Sequence, residues 1–303
     1  MKTEIIILSG FLGSGKTTLL KNLLLLENKR NRKTAVLMNE FGSISIDSDI
    51  IGDEVPLKEL LGGCICCTIQ DKLEEQIQAL LVEHKPEIIY IETTGAAHPV
   101  EVLDAIMSPV FAHSLLVKGI ITVIDGKRWL NRKSLSPQVQ QLIIEQVRHA
   151  DLLLLNKADE LSEMEQMQLT VGIQSLNSHA NCIMTTYSKL GHQQIEKLTM
   201  NKKQLVESSH AKQDLHLSSF VYQFKKSINQ ETFEIFLKQL PDSIYRIKGY
   251  LKFHQSSQPY LFQFSYGMPL YIREEMNLPL NLVFIGENVN WNHIHEQLMK
   301  VEN

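Results

Sequence analysis

Gly10-Phe11-Leu12-Gly13-Ser14-Gly15-Lys16-Thr17 constrains this chain more than any other stretch, because it satisfies G-x-x-x-x-G-K-[ST] at every fixed position. Before it, Glu4 to Leu8 reads as a short buried strand; after it, Thr18 to Leu24 has the composition of a helix start. Glycines on a strand-to-helix turn let the backbone close on phosphate oxygens and turn its N–H groups inward. Lys16 then sets a cation against the outer phosphates, and the Thr17 hydroxyl suits Mg²⁺. The expected phosphate contacts are Gly10, Gly13, Ser14, Gly15, Lys16, Thr17 and Thr18, with Lys16 and Thr17 also in catalytic roles. A glycine-rich turn with a chance lysine is the plain alternative, and the order strand, loop, helix argues against it.

Two later segments fit the same site. Glu87 to Ile91 is a third apolar strand after Thr34 to Met38, and it ends in Glu92-Thr93-Thr94-Gly95. That is where an acid able to order the Mg²⁺ shell or the attacking water belongs, followed by a glycine that senses the γ-phosphate. Leu152 to Leu155 delivers Asn156-Lys157-Ala158-Asp159, the Asn-Lys-x-Asp pattern of guanine recognition. A carboxylate at Asp159 accepts two N–H bonds from guanine, a pattern that adenine cannot supply, so GTP and GDP are favoured over ATP. The polar segment Asn39 to Asp47 lies where a nucleotide-sensing loop would; its Glu40 and Asp47 are candidates for Mg²⁺, or simply solvated acids.

Cys64-Ile65-Cys66-Cys67 holds three of the four cysteines and stands just before a helical pattern from about Gln70 to Glu83, whose Leu73, Ile77, Leu80 and Leu81 share a face. Thr68 and Asp71 offer that helix a capping box. The helix dipole favours thiolates there, and three soft ligands converging on Zn²⁺ or another thiophilic metal would form an open, exchangeable site. Apolar packing and a redox pair are the other readings of the cysteines. His98 is a further candidate beside that metal, though a lone loop histidine is more often just hydrated. Cys182 reads as a core residue of a late strand.

At 303 residues the chain suits two domains. The expected division is a P-loop domain over residues 1–200, a polar linker over 201–215, and a smaller α+β domain over 216–303. The fold class is α/β: a P-loop NTPase with a mostly parallel sheet, followed by that second domain. Further strands are expected over Gly119–Asp125 and Asn181–Thr185, with helices over Gln138–His149 and, behind a Ser162–Glu165 capping box, to about Leu176. In the second domain, strands are expected over Leu217–Phe224, Ile244–Phe253, Tyr260–Tyr266 and Leu282–Gly286, with helices over Asn229–Leu240 and around Trp291 to Leu298, an order of βαβββα. A formal charge of −4 from 30 basic and 34 acidic residues disfavours nucleic acid and anionic membranes as partners. No apolar run reaches a membrane span, and the four apolar residues between Glu4 and Ser9 are too few for a signal-peptide core, so the expected location is the cytoplasm.

Taken in order, Gly10–Thr17, Asn39-Glu40-Phe41-Gly42, Gly63–Cys67, Glu92–Gly95 and Asn156–Asp159 closely resemble the CobW family of metal-handling GTPases, related to the HypB and UreG nickel-insertion proteins. The resemblance spans nearly the whole chain; at the C-terminal end it rests on Arg246-Ile247-Lys248-Gly249-Tyr250-Leu251, a less specific motif. It implies a slow GTPase, converting GTP and water to GDP and phosphate, that delivers a transition metal, commonly zinc and in one branch cobalt, to a client metalloprotein. The expected metal ligands are Cys64, Cys66 and Cys67, with Glu40 as a further candidate; self-association is left open. Relatives often carry acids just before and just after Asn39–Gly42, where this chain has Met38 and Ser43. Two other readings compete with a metallochaperone: a regulatory GTPase without metal transfer, and a zinc buffer or stress protein with vestigial hydrolysis.

Overall fold

A computed structural model describes residues 2–38, 57–59, 69–97, 99–111, 114–196, 198, 217–265, 267–276, 278–287 and 289–302. Two compact units emerge: residues 1–105 with 114–214, and residues 106–113 with 215–303.

The first unit is built on a parallel sheet of β1 (Thr3–Ser9), β2 (Thr34–Met38), β3 (Leu57–Glu59), β4 (Ile88–Glu92), β5 (Leu115–Asp125), β6 (Leu152–Asn156) and β7 (Asn181–Met184), in the order β3-β2-β4-β1-β5-β6-β7. Every pairing among these strands is parallel. Helices cross between parallel strands, so the central strands are covered on both faces and read as unbroken apolar runs. Ile5 to Leu8, Ile88 to Ile91 and Leu152 to Leu155 are all buried. The crossings are α1 (Lys16–Lys29), α2 (Ile69–Glu83), α3 (Pro99–Ile106), α4 (Gly126–Leu130), α5 (Pro137–Arg148) and α6 (Glu163–Gln174). Leu73, Ile77 and Leu80 of α2 are buried as their spacing predicts. The capping box forms at α6: Ser162 Oγ accepts from the Glu165 N–H, and the Glu165 carboxylate accepts from the Ser162 N–H.

Strand β5 starts at Leu115, four residues before the expected Gly119, because Gly119 is not a strand end but part of a bulge. The register against β1 slips between Ile5 and Ile6, skipping Lys118, whose ammonium then reaches Glu4 Oε1 at 2.6 Å. Cys182 lies half-buried on the edge strand β7, packed against the core at its margin, and burial pushes its thiol pKa up.

The second unit is an antiparallel sheet in the order β11-β10-β9-β12-β8, from β8 (Leu217–Gln223), β9 (Ile244–Leu251), β10 (Tyr260–Ser265), β11 (Met268–Arg273) and β12 (Asn281–Glu287), with α7 (Gln230–Lys238) and α8 (Trp291–Glu302). Phe233 and Phe236 of α7, Ile294 and Leu298 of α8, and Phe262, Phe284 and Ile247 of the sheet form its core. Strand β11 is absent from the sequence expectation. It is an edge strand carrying Pro269, with Met268, Leu270 and Ile272 exposed, so the alternation that marks a half-buried strand is inverted. Residues 106–113 join this unit from within the first domain's sequence: Pro109 and Phe111 are buried, and Asn281 Nδ2 donates to the Pro109 carbonyl at 3.3 Å. The expected linker over 201–215 lies outside the described residues.

Candidate nucleotide site

In an open parallel sheet the ligand crevice opens at the carboxyl ends of the strands, where neighbouring strands send their chains in opposite directions. Here the neighbours are β1 and β5: the chain leaves β1 towards β2 and leaves β5 towards β6. The loop Gly10–Gly15 sits at the end of β1, with the ends of β4 and β5 at either side and that of β6 next beyond β5.

Gly15 is the N-cap of α1 in the left-handed region, φ +113°, and α1 has no side-chain cap. Asp125, Ser136, Ser162 and Asn229 each cap the helix that follows them. The first N–H groups of α1 are thus left for an anion, the arrangement that phosphate binding uses. A Cβ at Gly15 would also stand 2.5 Å from Asn156 Nδ2, so no other residue fits. Lys16 is buried with its ammonium over the loop, donating to the Gly10 carbonyl at 2.9 Å. Ser14 Oγ is buried and lacks a hydrogen-bond partner among the described residues. Thr18 lies exposed in the first turn of α1.

Glu92 is buried at the end of β4, and Thr17 Oγ1 donates to its Oε1 at 2.7 Å. Parallel register sets this contact, since Glu92 pairs with Leu8, two residues short of the loop. Gly95 follows in close approach: a Cβ there would lie 2.5 Å from the Leu12 nitrogen. A hydroxyl and a carboxylate at hydrogen-bond distance beside a phosphate loop are an oxygen donor pair suited to Mg²⁺.

Asn156 ends β6 and works in two directions. Its Nδ2 donates to the Ser14 carbonyl at 2.8 Å, and its Oδ1 accepts from the Ser188 N–H at 2.9 Å. Lys157 has φ +60°, and its ammonium lies 2.6 Å from Asp125 Oδ2. Burial pushes the Asp125 carboxyl up, but hydrogen bonds from Lys157 and the Arg128 N–H outweigh it and hold the carboxyl below its ordinary range. Asp159 stands exposed in the turn Ala158–Glu160.

Expected residues Gly10, Gly13, Ser14, Gly15, Lys16, Thr17, Glu92, Gly95 and Asn156 therefore meet at one end of the sheet, with Lys157 and Asp159 in the adjoining turn. Cys64, Cys66, Cys67, Glu40, Asp47 and His98 lie outside the described residues, as do Thr68 and Ser43. Four residues went unanticipated: Asp125, Arg128, Gln146 and Ser188. Ser188 is buried, with φ +50° and its hydroxyl donating to the Gly15 carbonyl at 3.0 Å. An acid ending the apolar run Ile120–Ile124, and a glutamine among the apolar residues of α5, were the available signals.

Comparisons with known proteins agree with this architecture. The nucleotide-binding domain of CobW/HypB/UreG matches residues 4–184, and the cobalamin synthesis protein cobW C-terminal domain matches residues 217–302. The zinc chaperone YeiR of Escherichia coli is 33% identical over 188 residues, 61% of this chain and 56% of that protein. Zinc-regulated GTPase metalloprotein activator 1 of Schizosaccharomyces pombe is 34% identical over 193 residues, 61% of this chain and 46% of that protein. The chain thus spans about half the length of these curated relatives. A zinc-bound triple mutant of the YjiA GTPase shares the fold, at TM-score 0.50 and 20% identity, with 100% of each chain covered. With a P-loop, an acid-ended neighbouring strand and the Asn156-Lys157-Ala158-Asp159 turn on one parallel sheet, and both domain matches in sequence order, this chain belongs to the CobW/HypB/UreG family.

Proposed function

We propose that the protein is a GTP-hydrolysing metallochaperone that binds a transition metal, zinc by preference, through Cys64, Cys66 and Cys67 and passes it to a client metalloprotein. The observation that carries the GTPase half is the 2.7 Å hydrogen bond from Thr17 to Glu92, which ties the phosphate loop to the strand leading into Gly95. Relatives named as zinc chaperones support the metal half.

In this reading Asp159 selects guanine, while N–H groups of the loop and of the first turn of α1 bind the phosphates. Lys16 neutralises charge that develops on the transferred phosphoryl group. Thr17 and Glu92 would hold Mg²⁺, which when bound neutralises phosphate charge. Glu92 also orients the attacking water, and Gly95 registers the presence of the third phosphate.

The cysteines fall between Glu40 and Glu92 in the chain, flanked on both sides by segments that sense the nucleotide. Metal affinity should then differ between GTP and GDP states, and linkage requires bound metal to change GTP affinity by the same factor, about 5- to 150-fold for typical couplings. GTP is expected to favour retention and GDP release. Zinc titration against a chromophoric chelator, with GDP and with a non-hydrolysable GTP analogue, tests this. Equal affinities in both states, or a Cys66→Ser variant binding zinc as tightly as wild type, would leave a regulatory GTPase in place of a chaperone.

A further inference from the structure

The phosphate loop and Glu92 lie on the β1 side of the crevice between β1 and β5, and Asn156–Asp159 ends β6 on the far side of β5. Between them, at the end of β5, stands the turn Asp125-Gly126-Lys127-Arg128, which belongs to none of these motifs. Asp125 caps α4 by accepting from the Arg128 N–H at 3.0 Å through Oδ1, while its Oδ2 holds the Lys157 ammonium at 2.6 Å. Arg128 then turns back over the phosphate loop. Its guanidinium carbon lies 5.3 Å from the Phe11 ring centroid, and its Nη1 donates to the Leu12 carbonyl. Its ring contact and its hydrogen bond are thus both with loop residues. No carboxylate lies at ion-pair distance from it among the described residues.

The Leu12 carbonyl belongs to the same peptide as the Gly13 N–H. No peptide bond of the described residues is cis, so this carbonyl and this N–H point in opposite directions. A cation gripping the oxygen from outside fixes the plane of the peptide and strengthens its N–H as a donor on the inner side. Leu12 is exposed and glycine follows it, so nothing in the local sequence would hold that plane otherwise.

We propose that Arg128 is a positioning residue of the nucleotide site, fixing the Leu12–Gly13 peptide so that the Gly13 N–H faces the phosphates. Asp125 sets Arg128 and Lys157 together, so a single carboxylate aligns the phosphate loop with the base reader. The inference rests on the guanine-nucleotide reading above and adds two residues that none of its motifs contains.

The test measures binding of GDP, IDP and a non-hydrolysable GTP analogue to the full chain. IDP lacks the 2-amino group of guanine, so the GDP-to-IDP ratio reads base recognition alone. Arg128→Met keeps an apolar stem over Phe11 without a donor for Leu12. It should weaken GDP and the analogue about tenfold, the loss of one charged hydrogen bond, with the GDP-to-IDP ratio and the melting temperature unchanged. Arg128→Lys restores a cationic donor and should recover most of the affinity. Asp125→Asn can still cap α4 but loses the ion pair, and should lower both affinity and the GDP-to-IDP ratio. Wild-type affinity in Arg128→Met, no recovery in Arg128→Lys, or an unmoved ratio in Asp125→Asn overturns the inference while the wild type still binds and hydrolyses GTP. A wild type that binds no guanine nucleotide overturns the GTPase reading and this inference together.

Discussion

Lys16 is a buried cation whose proposed role is functional rather than stabilising. An ammonium taken out of water costs free energy unless oxygens replace its shell, and here the loop carbonyls of Gly10 and Phe11 do so at 2.9 and 3.5 Å. Lys16→Ala removes a buried charge and its aliphatic stem but no member of an apolar core cluster, so the fold should persist while hydrolysis is lost; circular dichroism and single-turnover GTP assays read the two effects separately. Wild-type turnover in a folded variant would refute the phosphate-loop assignment. Asp159 is the opposite case, an exposed carboxylate whose proposed role depends only on accepting hydrogen bonds. Asp159→Asn introduces a donor, so preference should move from guanine towards xanthine nucleotides, by about tenfold or more in the affinity ratio. A variant that prefers GTP over XTP as strongly as wild type would show that another group reads the base.

Among the elements, α5 links the nucleotide end of the sheet to the segment after Glu92. Gln146 is fully buried on its inner face, and its Nε2 donates to the carbonyls of Gly95 and Ala97 at 3.2 and 3.4 Å. Two acceptors on one amide identify which end is the NH₂ group. Gln146→Leu preserves volume but strands both carbonyls, loosening the glycine that touches Leu12. Hydrolysis should fall about tenfold while GDP affinity changes by less than about twofold, because only the γ-phosphate side is released. Equal losses in both would mean that Gln146 merely supports the fold. The four leucines of β6 carry a related lesson: leucine favours helices in isolation, but burial between two helix layers makes the strand the better solution.

For the molecule as a whole, stability and function occupy opposite ends of the parallel sheet. Glu4, near the start of β1, binds Arg32 at 2.7 Å and Lys118 at 2.6 Å, and the buried Glu27 takes Arg32 at 3.5 Å and the Tyr90 hydroxyl at 2.9 Å. Burial raises the Glu4 carboxyl, yet hydrogen bonds from Lys118 and Arg32 outweigh it and hold the pKa below its ordinary 4.5. A carboxyl lowered in the folded state stabilises above its unfolded pKa, and that contribution disappears as pH falls through the folded value. Glu4→Gln should therefore cost about 1 kcal/mol at neutral pH and progressively less as pH falls through the folded Glu4 pKa, as read from urea midpoints across pH. A constant difference at all pH values would mean that packing, not charge, is what the substitution removes.

Much of the candidate site was legible in the sequence because its parts are contiguous. A phosphate loop is a run of eight residues whose glycines and lysine act on one ligand, and the proposed guanine reader is a run of four. Strand and helix identity followed from apolar runs and 3.6-residue periodicity, since burial on both faces or on one face leaves those patterns directly. The edge strand β11 left no such pattern, because its apolar side chains face solvent. What only the tertiary structure decided was the company the motifs keep. Arg128 reaches Leu12 across 116 residues, Gln146 reaches Gly95 across 51, and Ser188 reaches Gly15 across 173. Those pairings depend on the strand order β4-β1-β5-β6-β7 and its parallel register, which bring the carboxyl ends of distant strands to one edge. Sequence periodicity records which face of an element is buried, but not which element lies beside it; that choice belongs to the packing of the whole sheet.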